Sequence, residues 1–202
     1  FYRTPAASKG ASRPTTTRGA ASTAPPVTKP ADTSAVKFRP TGTYLKTKEF
    51  AESLGNTPAE REQYAKLMNA VLDAFALQSA KAGFSNDLGA ALAFFIGENI
   101  RIYRGLPDLT DQQYVDLRNA IAGALISSGG LTNMTDRQKQ EMYEALVAYT
   151  GITQFGYEQA RQAGNDSVAK GYQKVAGQNL QTVTKIPPDQ INYGPDGLSV
   201  LQ

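Results

Sequence analysis

Apolar side chains recur at steps of three and four through most of this chain, and each run follows a recognisable helix start. Tyr64, Leu67, Met68, Val71, Leu72 and Phe75 follow Thr57; Leu88, Leu92, Phe95, Ile96, Ile100 and Tyr103 follow Asn86. Tyr114, Leu117, Ile121 and Leu125 follow Thr110; Met142, Leu146 and Tyr149 follow Thr135; Val168, Tyr172, Val175, Ala176 and Leu180 follow Asp166. That spacing places one apolar stripe on each helix. The residues ahead of the runs suit N-caps. Thr57-Pro58-Ala59-Glu60 joins a capping Thr to Pro at the first helical position and Glu three residues on. Thr110-Asp111-Gln112-Gln113 and Thr135-Asp136-Arg137-Gln138 repeat the pattern with Gln, and Asn86-Asp87 and Asn165-Asp166 offer two more caps.

Stop signals match the starts. Gly83, Gly105, Gly129-Gly130 and Gly164 each follow a run, and a shorter helix is predicted over Thr47–Leu54, ending at Gly55. Short loops between the helices imply antiparallel neighbours. The prediction is an all-α protein: a five- to six-helix bundle over residues 41–184, preceded by an extended N-terminal arm, 1–40, and followed by a short non-helical tail, 185–202. In the tail only Ile191–Leu201 reads as strand, with Gly194-Pro195-Asp196-Gly197 as its turn. Leu88–Tyr103 is apolar on nearly every face, which predicts a central helix. Gly151 and Gly156 predict a kink or break within 136–163.

The arm is different in kind. From Phe1 to Ser34, 25 of 34 residues are Thr, Ala, Pro, Ser or Gly, and only Phe1, Tyr2 and Val27 carry sizeable apolar surface. Such a segment cannot offset its ordering entropy by folding on itself. Five prolines favour extended backbone, and at ~3.1 Å per residue the arm would reach on the order of 100 Å. Charge divides at the same place. Of 21 basic and 18 acidic side chains, residues 1–40 hold seven (Arg3, Lys9, Arg13, Arg18, Lys29, Lys37, Arg39) and one (Asp32), leaving 14 and 17 for the rest. A basic arm on a mildly acidic body is suited to docking on another copy. The bland alternative is a linker or stalk, O-glycosylated on its Thr/Ser/Pro stretches. The chain begins with Phe rather than Met, which we read as a removed leader and an exported protein. No run of eighteen apolar residues is present, so no membrane span is expected.

Composition narrows the chemistry. The chain has no Cys, no His and no Trp. Disulfides, thiolate zinc sites and His-based nucleophile pairs are thereby excluded. Carboxylate chemistry survives, and Glu98 in the apolar helix is its leading candidate: a carboxyl beside Phe94, Phe95 and Ile102 could serve as a general acid. A glycosidase would need a second carboxylate, for which Asp73, Asp87, Asp116 and Glu144 are available. The simpler reading pairs Glu98 with Arg101 at i,i+3 and lets Asn99 satisfy a loop. Asn86-Asp87 reads as a cap before it reads as a cation site, and Asp108 and Asp111 lack the further ligands of a calcium loop. There is no phosphate-binding glycine loop, and the arm's dispersed charges give no specific nucleic-acid signature. No cofactor and no metal is expected.

Three motifs carry a resemblance. They are Phe38-Arg39-Pro40-Thr41-Gly42; Asn86-Asp87-Leu88 with Ala91-Leu92-Ala93-Phe94-Phe95; and Asp136-Arg137-Gln138-Lys139-Gln140 with Tyr143-Glu144. In that order the chain resembles a family of secreted bacterial helical proteins of unknown function, over about residues 37–200, with the Thr/Pro-rich arm outside the match. The resemblance implies export and a helical body and brings no catalytic residue. The functional expectation is an exported structural protein that self-assembles through its arm into a filament or other extracellular polymer. Phe1, Tyr2, Val27, Val36, Phe38 and Arg39 would contact a neighbouring copy. The rivals are a carboxylate-dependent hydrolase of cell-wall or polysaccharide material and a monomeric surface binding module on a flexible stalk.

Overall fold

A computed structural model describes residues 32–194 and 197–200. Six helices form the body: α1 (Thr47–Leu54), α2 (Pro58–Lys81), α3 (Leu88–Arg104), α4 (Asp111–Ser127), α5 (Asp136–Gln162) and α6 (Asp166–Thr184). Their starts follow local chemistry. Thr57, Thr110 and Thr135 each form a complete capping box with Glu60, Gln113 and Gln138. Each box satisfies two amides that a helix N-terminus would otherwise leave orphaned. The Asp87 carboxylate caps α3 and the Asn165 side chain caps α6. Gly83, Gly105, Gly129 and Gly164 all take positive φ at helix ends, as a left-handed stop requires.

The helix predicted to be apolar all round is the centre of the bundle. α3 packs against α4, α5, α6 and the C-terminal hairpin, while α1 lies on α2 and α2 on α5. Leu88, Ala91, Ile100 and Ile102 on α3 are fully buried. The tail is a 3-10 turn, Pro188–Gln190, followed by an antiparallel hairpin, β1 (Ile191–Gly194) with β2 (Gly197–Val200). Arg104 fastens the hairpin to α3, donating to the Ile191 carbonyl at 2.7 Å and the Asp189 carbonyl at 3.2 Å.

Two expectations about α5 need correction. The helix runs unbroken through Gly151 and Gly156. These glycines serve packing: a Cβ at 151 would lie 2.3 Å from Val71 Cγ1, and one at 156 would lie 2.1 Å from Tyr172 Cζ. Close approach of neighbouring side chains demands the missing methyl, and no bend is needed. The buried stripe is also rotated. Met142 and Tyr149 are about half exposed (44% and 49%), while Lys139, Gln140, Tyr143 and Glu144 are buried. Hydropathy misplaced the face because polar residues occupy it.

The start of the body also moves. The described residues from 32 onward pack with the helices, so 32–40 are part of the body rather than of an arm ending at 40. Val36 is fully buried and Phe38 is 7% exposed, both in the main core with Leu88, Leu92, Tyr143 and Val147.

Candidate functional site

Residues 32–46 cross the bundle as a strap without α-helix: a 3-10 turn at Ser34–Val36 leads into extended backbone at Lys37, and the chain bends at Gly42-Thr43 and again at Leu45-Lys46. Its apolar side chains, Val36 and Phe38, enter the core; the Phe38 ring meets Tyr143 edge-on at 5.3 Å. Burying a side chain of this size contributes roughly 1.5–3 kcal/mol. The strap's main chain is held by side chains of the body. On α5, Lys139 Nζ donates to the carbonyls of Ala35 (2.7 Å) and Lys37 (3.4 Å). One residue on, Gln140 Oε1 accepts from the Thr41 amide at 2.7 Å, and its Nε2 donates to the Gly42 carbonyl at 2.8 Å. Gln140 Nε2 also donates to Glu144 Oε1 at 2.9 Å, one helical turn away, and Glu144 Oε2 accepts from the Lys46 amide at 2.8 Å. The i,i+4 bond orients both side chains toward the strap.

The other wall comes from α3 and α4. The Phe38 amide donates to the Asn86 carbonyl at 3.0 Å, and Lys37 forms an isolated antiparallel bridge with Asp87. Asn86 takes φ +51° to present that carbonyl, a conformation Asn tolerates better than most residues. Asp87, fully buried, caps α3 through the Ala90 amide (2.9 Å) and pairs with Arg118 of α4. Arg118 lies over the Phe84 ring at 4.6 Å and donates to Thr33 Oγ1 at 3.1 Å. Burial pushes the Tyr143 hydroxyl up to about 12, helped by the charges of Glu144 and Asp87 and opposed by a bond with Ser79.

The strap ends in a bend. Tyr44 adopts φ +30°, unusual for a bulky side chain, and its hydroxyl bonds Asp73 on α2. Beyond it, Thr47 Oγ1 bonds Asn69 Oδ1 at 3.0 Å, so α1 is anchored to α2 independently of the strap.

The three motifs behind the resemblance therefore converge. Phe38–Gly42 is the strap, Asn86-Asp87 is one wall, and Lys139, Gln140, Tyr143 and Glu144 are the other. The chain matches a family model, described as a family of unknown function (DUF6683), over residues 2–201. It belongs to that family. The match takes in the Thr/Pro-rich arm, which the resemblance had left outside. No curated protein and no solved structure matches the chain.

The remaining candidates fall into place as follows. Phe1, Tyr2 and Val27 lie outside the described residues. Val36 and Phe38 spend their apolar surface on the helices of their own chain, and Arg39 is exposed. Glu98 is 3% exposed and committed to structure: Oε2 accepts from Arg101 Nε (2.9 Å) and Gln154 Nε2 (3.0 Å), and Oε1 accepts from the Tyr114 hydroxyl. Burial works against the Arg101 charge, yet Glu98, Glu158 and Asp108 together hold its pKa above the ordinary range. Asn99 does not serve a loop; it donates to the Phe95 carbonyl and accepts from Asn179 of α6. The proposed second carboxylates are likewise engaged, Asp73 with Tyr44, Asp87 with Arg118, Asp116 with Gln112, and Glu144 with the strap. Among the described residues no group of three or more acidic side chains could hold a metal ion, and no helix is long and apolar enough to cross a membrane.

Sequence reasoning missed Arg118 and the strap-holding role of Lys139, Gln140 and Glu144. The available signal was spacing: Lys139, Tyr143, Leu146 and Gln140, Glu144, Val147 each step by four and three. Polar residues in register with a buried stripe have something to hold.

Proposed function

We propose that this protein is an exported structural protein that assembles with copies of itself into a filament or other extracellular polymer, its N-terminal arm being the connector. One observation carries the reading: the body devotes buried Lys139, Gln140 and Glu144 to gripping the main chain of an extended segment. Grip on main-chain groups suits reception of an extended strand-like segment. The sequence supports it from the other side, since residues 1–31 carry five basic side chains and no acidic one ahead of a body in which acids outnumber bases. Opposite charge guides the encounter, and apolar anchors supply the affinity. A head-to-tail connection of this kind leaves a free arm at one end and a free acceptor at the other, so it grows rather than closes.

Electron microscopy and size-exclusion chromatography with light scattering test the reading. The full chain is expected to form filaments or large particles. A variant lacking residues 1–31 is expected to keep its helical circular dichroism and remain monomeric. Equal assembly by the truncated protein would remove the arm as connector.

A further inference from the structure

We infer that the exchanged element is the strap itself: residues 33–42 of one copy occupy, in the assembly, the α3–α4–α5 seat of the next, with Thr43–Leu45 as the hinge. This rests on the self-assembly reading above. It adds which segment crosses and which surface receives it.

The seat shows what fits it, because the chain's own strap fills it. A second copy supplies the same Val36 and Phe38, the same carbonyls for Lys139 and the same amide and carbonyl for Gln140, so exchange needs no new contact surface. The strap's one helical turn, the 3-10 turn at Ser34–Val36, moves with it, and the strap leads directly from residues 1–31, so it can leave without unwinding any α-helix. The point of separation is also marked. Gln140 grips as far as Gly42, and Glu144 takes up the chain again at Lys46. Between them stands Tyr44 at φ +30°, whose backbone strain exchange would relieve by straightening the bend. Short strained connections of this kind favour swapping. Everything from Thr47 onward stays home, tied to α2 through Asn69. Three hinge residues span only ~10 Å when extended, so the two bodies must adjoin.

The absence of cysteine makes the test clean. Lys37 and Asp87 form an isolated antiparallel bridge, and Arg39 and Ser85, each two residues from it on its own segment, are both exposed. In the full-length double variant Arg39→Cys/Ser85→Cys, oxidised at low concentration, the disulfide locks the strap onto its own body. The locked protein is expected to stay monomeric and to regain assembly on reduction, the reduced form serving as its own folding control. A mixture of the two single variants, assembled and then oxidised, is expected to give disulfide-linked dimers in which each chain carries one of the two substitutions. Assembly of the locked monomer as complete as that of its reduced form, or no cross-linked dimer from the mixture, would overturn strap exchange. If removal of residues 1–31 still abolished assembly in that case, the arm would remain the connector and only the exchanged segment would be wrong. If neither change affected assembly, both readings would fail.

Discussion

Two of the buried polar clusters among the described residues are wired differently. The first centres on Arg101, which joins Glu98 on its own helix to Glu158 of α5 and Asp108 before α4, with Tyr114 and Gln154 completing the shell of Glu98. Its bonds run from side chain to side chain, and it ties α3, α4 and α5 to one another. The second, Lys139, Gln140 and Glu144, sends most of its bonds to main-chain groups of the strap. The first cluster is satisfied by the helices alone. The second is satisfied only while an extended segment lies in the seat. Among the described residues no fully buried side-chain nitrogen or oxygen lacks a partner; withdrawing the strap would break that condition in the second cluster and leave the first intact. A cluster that closes on itself secures a fold, whereas one that needs a visiting backbone is built like a receptor.

The closed cluster is the costlier one to disturb, because Glu98 and Arg101 are both buried. Arg101→Met removes the cation that compensates Glu98, which is 3% exposed, and is expected to destabilise the whole bundle by about 3–5 kcal/mol. The outer partners matter less, since Asp108 is 81% and Glu158 41% exposed at the side chain. Urea melts of Arg101→Met and of Arg101→Met/Glu98→Gln check this: the double variant should recover most of the loss. No recovery would mean that the guanidinium acts through packing rather than charge. Next in size is Phe38→Ala, which empties a core position and is expected to cost about 3 kcal/mol. Its signature should be early proteolysis and hydrogen exchange within residues 33–46, ahead of α3. Simultaneous opening of α3 would show that the strap is an inseparable part of the core.

The helix boundaries were legible because they depend on neighbours in sequence. Thr57, Thr110 and Thr135 needed only a Glu or Gln three residues on to form their boxes, and the stop glycines needed only their own backbone freedom. Glu98 with Arg101 was legible for the same reason, one turn apart on one helix. What failed depends on partners far along the chain. Gly151 and Gly156 look like breaks until Val71 and Tyr172 are seen against them. Lys139 looks like solvated surface until the Ala35 carbonyl, more than a hundred residues earlier, is placed on it. Val36 and Phe38 were expected to contact a neighbouring copy, because nothing near them in sequence could bury them. Periodicity cannot say which body they enter, and in this chain it is their own.

The seat also contributes to an alkaline pH dependence through Tyr143, alongside Tyr44, whose hydroxyl is likewise held above its ordinary range by burial and Asp73. Tyr143 packs on Phe38, and burial holds its hydroxyl up at about 12. In the unfolded chain a tyrosine ionises near ~10. The folded protein therefore retains this proton where the unfolded chain has released it. The stabilisation is fully present below about pH 10 and is lost as pH rises toward about 12, on the order of 2 kcal/mol across that window. Urea midpoints between pH 9 and 12 should fall for the wild type and fall less for Tyr143→Phe. Parallel slopes would place the alkaline transition elsewhere.

The smallest expected effect separates the clusters most directly. Lys139→Met keeps the buried stem but removes the ammonium from the Ala35 and Lys37 carbonyls. Both strap residues are exposed, so water can take over much of what their carbonyls lose, and the global cost should be only about 1 kcal/mol. The effect should be concentrated where the bond was. Hydrogen exchange at the Phe38 and Thr41 amides is expected to quicken several-fold while the amides of α3 are unchanged. Gln154→Leu, a change of similar size in the closed cluster, is expected to do the reverse, speeding exchange in α3 and α5 without singling out the strap. If Lys139→Met instead loosened α3 and α5 as evenly as Gln154→Leu, Lys139 would be an ordinary core support. The distinction between a cluster that holds helices and one that holds a strap would then fail at its most specific residue.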